Sequence, residues 1–442
     1  MNNILHPARI VVVLFALAIL AGTLLLMLPL SSASGDGAPL MVAFFTSVSA
    51  ICVNGLVVVD TGSYWSGFGQ ATIMVLFQLG GFGMMTAATL LGLMVNRSSR
   101  LRTRLITQTE TRSLGMGDIA SVTRIVLAVT VTLQVALAAV LLARLHFGYD
   151  LEWRESVWSA VFHAVSAFNN AGFSLHADSL TRYAGDALVL VPMMVAFIVG
   201  GIGFPVLHDL RYRLRDPRHW SLHTKLTLVG TLVLLLGGCV AILLFEWSNA
   251  ETLGPMSIAD TLLNSMFISA AARTAGFNTV DFGALAPESW ALHYLLMFIG
   301  GGSAGTAGGV KVGTIMILAL LVIAEARGHT DTEAFGRRVA VSAQRQAVTV
   351  LVLGSVIVAF GTVLLLGITH FPTDQVIFEV IAAFGSTGLS TGITAELPAS
   401  GQLVLAALMF IGRVGTITFA TSLVLGERRM PYRYPEDHPI VG

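Results

Sequence analysis

The chain has 442 residues, of which 55% are hydrophobic and 11% charged, with 25 basic residues balanced by 25 acidic ones. Soluble domains carry roughly 25% charged residues, so an ordinary soluble domain is excluded and transmembrane helices are implied. The zero net charge lacks the basic footprint of a nucleic-acid binder, and the two cysteines, Cys52 and Cys239, lie in apolar runs where they read as core residues rather than a disulfide or metal framework.

Taken in chain order, runs of about 20 apolar residues predict eight spanning helices at 8–30, 70–94, 121–145, 188–210, 224–247, 291–323, 346–367 and 402–426. Four shorter apolar segments alternate with them, at 40–52, 157–169, 260–272 and 375–385. About 12 helical residues rise only ~18 Å, roughly half the hydrocarbon core, so these read as re-entrant half-helices whose ends need protein or water around them. The 8–30 run with Arg9 is long for the apolar core of a signal peptide and opens the first repeat, so it reads as a retained span.

Each half-helix runs into a short turn with one glycine: Val53-Asn54-Gly55-Leu56, Asn170-Ala171-Gly172-Phe173, Thr274-Ala275-Gly276-Phe277 and Ser386-Thr387-Gly388-Leu389. These glycines are 117, 104 and 112 residues apart, which divides the whole chain into four repeats. A second series follows in phase, at Gly80-Gly81-Phe82-Gly83, Gly200-Gly201-Ile202-Gly203, Gly300-Gly301-Gly302-Ser303 and Gly412-Arg413-Val414-Gly415; its bland alternative is GxxxG-like helix packing. The expectation is an all-α integral membrane protein with repeats at 1–112, 113–220, 221–340 and 341–442, eight spanning helices and four half-helices around one pseudo-fourfold pore.

Placing the half-helix openings outward puts 19 of the 25 Lys and Arg residues at inner span ends, which satisfies the positive-inside rule and leaves both termini in the cytoplasm of a cell (cytoplasmic) membrane. Fifteen of the 25 acids then face outward, either as a cation-attracting field or as a solvated surface.

A potassium ion crosses cheaply only where rings of carbonyl oxygens replace its hydration shell. One glycine per turn reaches φ > 0 without steric cost and lets consecutive carbonyls face a shared axis, and each half-helix adds about half a negative charge at its C-terminal end. The potassium-filter candidates are therefore Val53, Asn54, Gly55, Asn170, Ala171, Gly172, Thr274, Ala275, Gly276, Ser386, Thr387 and Gly388, with Asn54, Asn170, Thr274, Ser386 and Thr387 bracing by side-chain hydrogen bonds.

On these turns, on Gly-Phe-Asn-Thr-Val at 276–280 and on Gly-Gly-Gly-Ser-Ala-Gly-Thr-Ala-Gly-Gly at 300–309, the chain resembles the membrane (pore) subunit of the Ktr potassium-uptake system, in the superfamily of Ktr, Trk and plant high-affinity potassium transporters. The resemblance covers nearly all of 8–426. It implies a single-chain counterpart of a tetrameric potassium channel, with four membrane-pore-membrane units. Trk-type subunits usually begin with two additional helices, and this chain starts at the first repeat, which favours the Ktr branch. Some plant relatives have serine at the first filter glycine and pass sodium; Gly55 is present here, so the resemblance implies potassium.

The predicted span 291–323 is too long for one straight crossing and holds six glycines within 300–309, a loss of about 6 kcal/mol in helix propensity relative to alanine. The helix is expected to break there and line a cavity, or else to kink for packing. In the family the corresponding stretch gates the pore, so Gly300, Gly301, Gly302, Ser303, Ala304, Gly305, Thr306, Ala307, Gly308 and Gly309 are gate candidates within a loop reaching 313. Arg413 stands where the other repeats have Gly81, Gly201 and Gly301. A charge at mid-membrane costs about 3 kcal/mol and faces an aqueous interior, so Arg413 is expected to raise a barrier to cations and to bond loop carbonyls. Lys311 either moves with the loop or snorkels inward; Arg273 either holds the third turn through carbonyl bonds or anchors outward. Asn169 is expected to brace the second turn, and His163, without metal-ligand companions, reads as a core histidine.

Gated potassium uptake accounts for the fourfold repeat, the half-helices, the glycine turns and the broken helix together. The alternative is a sodium- or proton-coupled symporter, but such folds usually pair two opposed repeats. No nucleophile with a base is visible, so no enzyme is expected. The transported ion is K+, with Na+ as a second candidate, and no organic cofactor is called for. The resemblance further implies a homodimer in membrane lipid, regulated by a cytosolic ring of nucleotide-binding subunits. Stretches 97–112, 211–225 and 325–345 are candidate contacts, although positive-inside topology alone explains their charge, and the tail 427–442 is a candidate dimer contact.

Overall fold

The computed structural model describes residues 7–103 and 118–415. The helices run α1 Pro7–Leu26, α2 Leu40–Ile51, α3 Thr61–Tyr64, α4 Gly67–Thr103, α5 Asp118–Gly148, α6 Trp153–Asn169, α7 Ala187–Ile202 and α8 Phe204–Arg213. They continue as α9 Leu222–Glu246, α10 Ile258–Ala271, α11 Pro287–Phe298, α12 Val312–Ala326, α13 Val341–Ile368, α14 Thr373–Gly385 and α15 Ala399–Phe410, which ends in a π-helical turn at Ile411–Gly415. A short hairpin, β1 Glu333–Ala334 and β2 Arg337–Arg338, joins α12 to α13. Helices α2, α6, α10 and α14 occupy the four short apolar segments. Residues 104–112 of one basic stretch, the 112/113 repeat boundary, the last part of the predicted 402–426 span and the tail 427–442 lie outside the described residues.

Among the described residues four helices, within α4, α5, α9 and α13, are long and apolar enough to cross a membrane, or five if α7 and α8 form one span. Eight were expected. The shortfall has local causes: α11 and α12 are separate pieces divided by residues 299–311, and α1 and α15 are short over the described stretch. The 188–210 segment is not straight either, because α7 and α8 meet at 102°. The corner is Gly203, at φ 94°, where a Cβ would collide with the Ser303 carbonyl oxygen and where Phe204 N donates to Ala304 O at 3.2 Å. The bend thus exists because a distant segment packs into it.

The helices form a cycle. Helix α6 packs on α4, α10 on α7, α14 on α11 and α2 on α15, so three of the four short helices lean on a helix earlier in the chain and the first closes on α15. Half of the apolar window of α4 is buried, against 28% for α5 and α9 and 17% for α13. The latter three are the outer helices, whose exposed Val135, Leu232, Val240, Val356 and Phe360 suit lipid. Lipid removes the hydrophobic drive between helices, so packing and hydrogen bonds hold the inner elements: Ser47 Oγ donates to Ile19 O and Ser269 Oγ to Leu235 O, each at 2.8 Å, tying α2 to α1 and α10 to α9.

A buried carboxylate anchors the N-terminal end of α11. Glu246 closes α9 and accepts from Asn249 Nδ2 at 2.7 Å, Thr252 Oγ1 at 2.6 Å, Ala286 N at 2.9 Å and Ser289 Oγ. Ala286 is the N-cap of α11, so the carboxylate stands in for a capping side chain. Replacing Glu246 by Gln, which has one acceptor oxygen for these donors, is expected to lower the stability of the purified protein by about 2 kcal/mol, and Glu246→Ala by more. Unchanged melting of both variants would show that the cluster does not hold α9 to α11.

Candidate functional site

The four half-helices end at Ile51, Asn169, Ala271 and Gly385, and their turns meet. A Cβ on Gly55 would stand 2.7 Å from the Ala171 carbonyl oxygen, one on Gly172 3.2 Å from Ala275 O, one on Gly276 2.5 Å from Thr387 O, and one on Gly388 would collide with Asn54 O. Each glycine therefore faces the middle carbonyl of the next turn, and the fourth faces the first. Additional side-chain atoms have no room at any of the four positions.

The backbone of the turns alternates in handedness. Gly55, Gly172, Gly276 and Gly388 have φ of 98°, 69°, 76° and 80°, and the first residue of each turn is also left-handed: Val53 at 53°, Asn170 at 59°, Thr274 at 77° and Ser386 at 54°. The sequence named all eight residues as filter candidates but assigned the left-handed backbone only to the glycines. Asn and Ser tolerate αL, but a β-branched Val or Thr there is strained by about 1–3 kcal/mol, which persists only where the surroundings over-determine it. The fully buried setting of Val53 and Thr274 supplies that constraint.

The predicted braces divide. Asn54 Nδ2 donates to Ala382 O and Ala383 O at 3.1 and 3.0 Å, joining the first turn to the end of α14, while its Oδ1 accepts from Leu56 N. Asn170 Nδ2 donates to Thr274 Oγ1 at 3.4 Å, linking the second and third turns. Ser386 Oγ and Thr387 Oγ1 have no partner among the described residues, so they do not brace. Asn169 turns away from its own turn and donates to Gln78 Oε1 on α4 at 2.6 Å. Arg273 is 6% exposed, and its buried Nε has no hydrogen-bond partner among the described residues, so that nitrogen makes no carbonyl bond.

The segment between α11 and α12 packs against these turns. A Cβ on Gly308 would meet Ser386 and the Gly385 carbonyl, and Thr306 Oγ1 donates to Asn170 Oδ1 at 2.9 Å. Its own backbone is satisfied internally and from α7: Gly300 N donates to Val310 O at 2.8 Å, Val312 N to Gly301 O at 3.0 Å, Gly302 N to Gly201 O at 2.8 Å and Thr306 N to Gly200 O at 3.1 Å. Non-helical backbone at this depth needs such partners.

Two cations hold the far side of the segment. Lys311 Nζ donates to Ala307 O at 2.6 Å and Gly308 O at 3.1 Å, so it stays with the loop rather than snorkelling. Arg413, 1% exposed, donates from Nη1 to Thr306 O, while its Nε and Nη2 have no partner among the described residues. In the second glycine series, Gly80, Gly200 and Gly412 lie against Ile51 O, Phe168 O and Phe384 O, the carbonyls two residues before each turn. These three are close-approach packing sites; Gly300 instead faces Gly308 O within the loop.

The oxygens that the turn glycines face are the main-chain carbonyls of Ala171, Ala275, Thr387 and Asn54. Four half-helix C-termini add partial negative charge beside them. That arrangement can receive a dehydrated cation.

Comparison with known proteins agrees in scale and in kind. The chain is 38% identical to the Ktr system potassium uptake protein B of Bacillus subtilis over 99% of this chain and 97% of that one. It is 34% identical to the potassium/sodium uptake protein NtpJ of Enterococcus hirae, over 99% and 98%. The crystal structure of the potassium transporter TrkH from Vibrio parahaemolyticus superposes with a TM-score of 0.71 at 20% identity, covering 96% of this chain and 86% of that one, a likeness of fold. The model of the TrkH cation transport proteins matches residues 3–428. With apolar helices wrapped around converging carbonyls and relatives matched from end to end, the chain is a multi-pass membrane protein that belongs to the TrkH family of cation transport proteins.

Proposed function

We propose that the four glycine turns form the selectivity filter of a single-chain pore that carries potassium into the cell. The observation that carries the reading is the closed order of contacts, in which Gly55, Gly172, Gly276 and Gly388 each face the middle carbonyl of the following turn. The printed names of the relatives, potassium uptake for one and potassium/sodium uptake for another, support K+ as the transported ion and keep Na+ as a second one. The four units are read as repeats 1–112, 113–220, 221–340 and 341–442 around one pseudo-fourfold axis, with both termini in the cytoplasm of the cell membrane. A cytosolic nucleotide-binding ring and a second copy of the chain are the proposed partners; the Ktr system name of the relatives supports a companion subunit.

The segment Gly300–Lys311 with Arg413 is the proposed gate. Arg413 holds the Thr306 carbonyl while two of its nitrogens stay unpartnered among the described residues, so its charge is poorly compensated in a low-dielectric site. It opposes a cation leaving the turns and keeps the loop in place. Sodium- or proton-coupled symport is the competing reading, separated by whether the reversal potential follows the K+ gradient alone or a fixed ratio to another ion.

Two outcomes test this. In proteoliposomes, Ser at Gly55, Gly172, Gly276 or Gly388, one at a time, is expected to erode the preference of rubidium uptake over sodium in every case, because the added atoms displace a neighbouring carbonyl; four variants with the original preference would end the filter reading. Arg413→Ala is expected to raise potassium flux about tenfold, the scale of one lost charge-assisted hydrogen bond, with Arg413→Lys between the two. Equal flux in all three proteins would remove Arg413 from the gate.

A further inference from the structure

Two side chains outside the turns occupy the same place behind two of them. His163 on α6 and Glu379 on α14 each stand seven residues before the first residue of their turn, Asn170 and Ser386. Each reaches the returning strand four and five residues beyond that point. His163 Nε2 lies 3.0 Å from Ser174 Oγ and accepts the Leu175 N–H at 3.4 Å. The Leu175 donor makes Nε2 the acceptor, so Nδ1 carries the proton and donates to Ser159 O at 2.8 Å. Glu379 accepts from Ser390 Oγ at 2.6 Å, from Thr391 N and Oγ1 at 3.0 and 3.4 Å, and from Thr394 Oγ1 at 2.6 Å. Both residues are buried, Glu379 completely.

The other two half-helices carry Thr46 and Phe267 at this offset, and the first turn's returning strand has Val57 and Val58 where the clamped strands have Ser174 and Leu175 or Ser390 and Thr391. In the ring of contacts the second and fourth turns are not neighbours. The two clamps therefore sit across from each other.

On the reading of the turns as an ion filter, we infer that His163 and Glu379 are positioning residues that set the discrimination between potassium and sodium. Two cations of equal charge are told apart by how closely and how stiffly the carbonyls are held. A turn at the end of a helix is fixed on its entering side by helix hydrogen bonds. Its leaving side needs ties of its own: Ser49 Oγ accepts from Gly55 N, Ser166 Oγ donates to Phe173 O and Ser179 Oγ accepts from Asn278 N, and His163 and Glu379 add, on one diagonal of the ring, acceptors reaching four and five residues beyond the start of the turn. Glu379 does so with a carboxylate and His163 with a neutral ring nitrogen, so the shared property is hydrogen-bond acceptance at one distance rather than charge.

The test is rubidium uptake against sodium competition in proteoliposomes, with thermal unfolding of each purified variant read alongside. Glu379→Ala and His163→Ala are each expected to lower the preference for potassium about tenfold, the scale of a lost buried hydrogen bond to a strong acceptor. Glu379→Gln, which keeps one acceptor oxygen, is expected to retain most of it. Glu246→Gln leaves one acceptor oxygen on a comparably satisfied buried carboxylate that touches no turn and is expected to lose stability with its ion preference unchanged. If Glu379→Ala does not yield folded protein, Ser390→Ala and Thr394→Val remove the donors instead and are expected to lower the preference in the same direction. Folded clamp variants with the original preference, beside a Gly388→Ser variant that has lost it, overturn the clamp alone. A Gly388→Ser variant with preference intact overturns the filter reading and the clamp with it.

Discussion

The structure depends on bringing main-chain carbonyls together where lipid would leave them unsatisfied. Four short helices end at Ile51, Asn169, Ala271 and Gly385 and the turns after them lie against one another, so their unpaired C-terminal groups face protein rather than hydrocarbon. That is possible only because each turn glycine lies against the next turn's carbonyl with no room for added side-chain atoms. The outer helices, with exposed Val and Leu, then serve as a lipid-compatible wall around a polar centre. The packing of α6 on α4, α10 on α7, α14 on α11 and α2 on α15 makes the ring a cooperative object, since no short helix completes its contacts by itself.

Breaking one helix extends the same logic. The stretch 299–311 forgoes helical hydrogen bonds and recovers them from α7, from its own ends and from Lys311 and Arg413. Its partners include Asn170 through Thr306 Oγ1, so the loop and the second turn share a hydrogen bond. A segment held by a few exchangeable bonds, rather than by a continuous helix, can adopt another arrangement at modest cost, which is what the proposed gate needs. The fixed point is on the opposite side, where Glu246 secures the start of α11.

Buried polar side chains carry more of the architecture than their number suggests. Glu246 and Glu379 sit fully buried yet each meets at least three donors, which offsets the cost of desolvating a carboxylate. Neither stood out in the sequence, where Glu246 was one acid at the end of a long apolar run and Glu379 one acid in the middle of a short one. His163 read as a lone core histidine for the same reason. The signal was available in the shared offset of seven residues from a turn, but only a comparison of half-helices keyed to the turns exposes it.

What the residue order determined was periodic and local: short apolar segments too brief to cross a membrane, a glycine after each, and six glycines within one predicted helix. Those follow from rise per residue and from backbone sterics, which need no neighbours. The sharp corner at Gly203, the left-handed Val53 and Thr274, the idle hydroxyls of Ser386 and Thr387, and the attachment of Lys311 to loop carbonyls were decided by the fold. The corner depends on an atom from elsewhere in the chain, the Ser303 carbonyl filling the bend at Gly203, and the local bonds of Lys311 to Ala307 and Gly308 form only where the loop has left the helix. A hydrogen bond between residues a hundred positions apart, as from Asn170 to Thr274, has no local pattern, because its geometry exists only once the turns have come together.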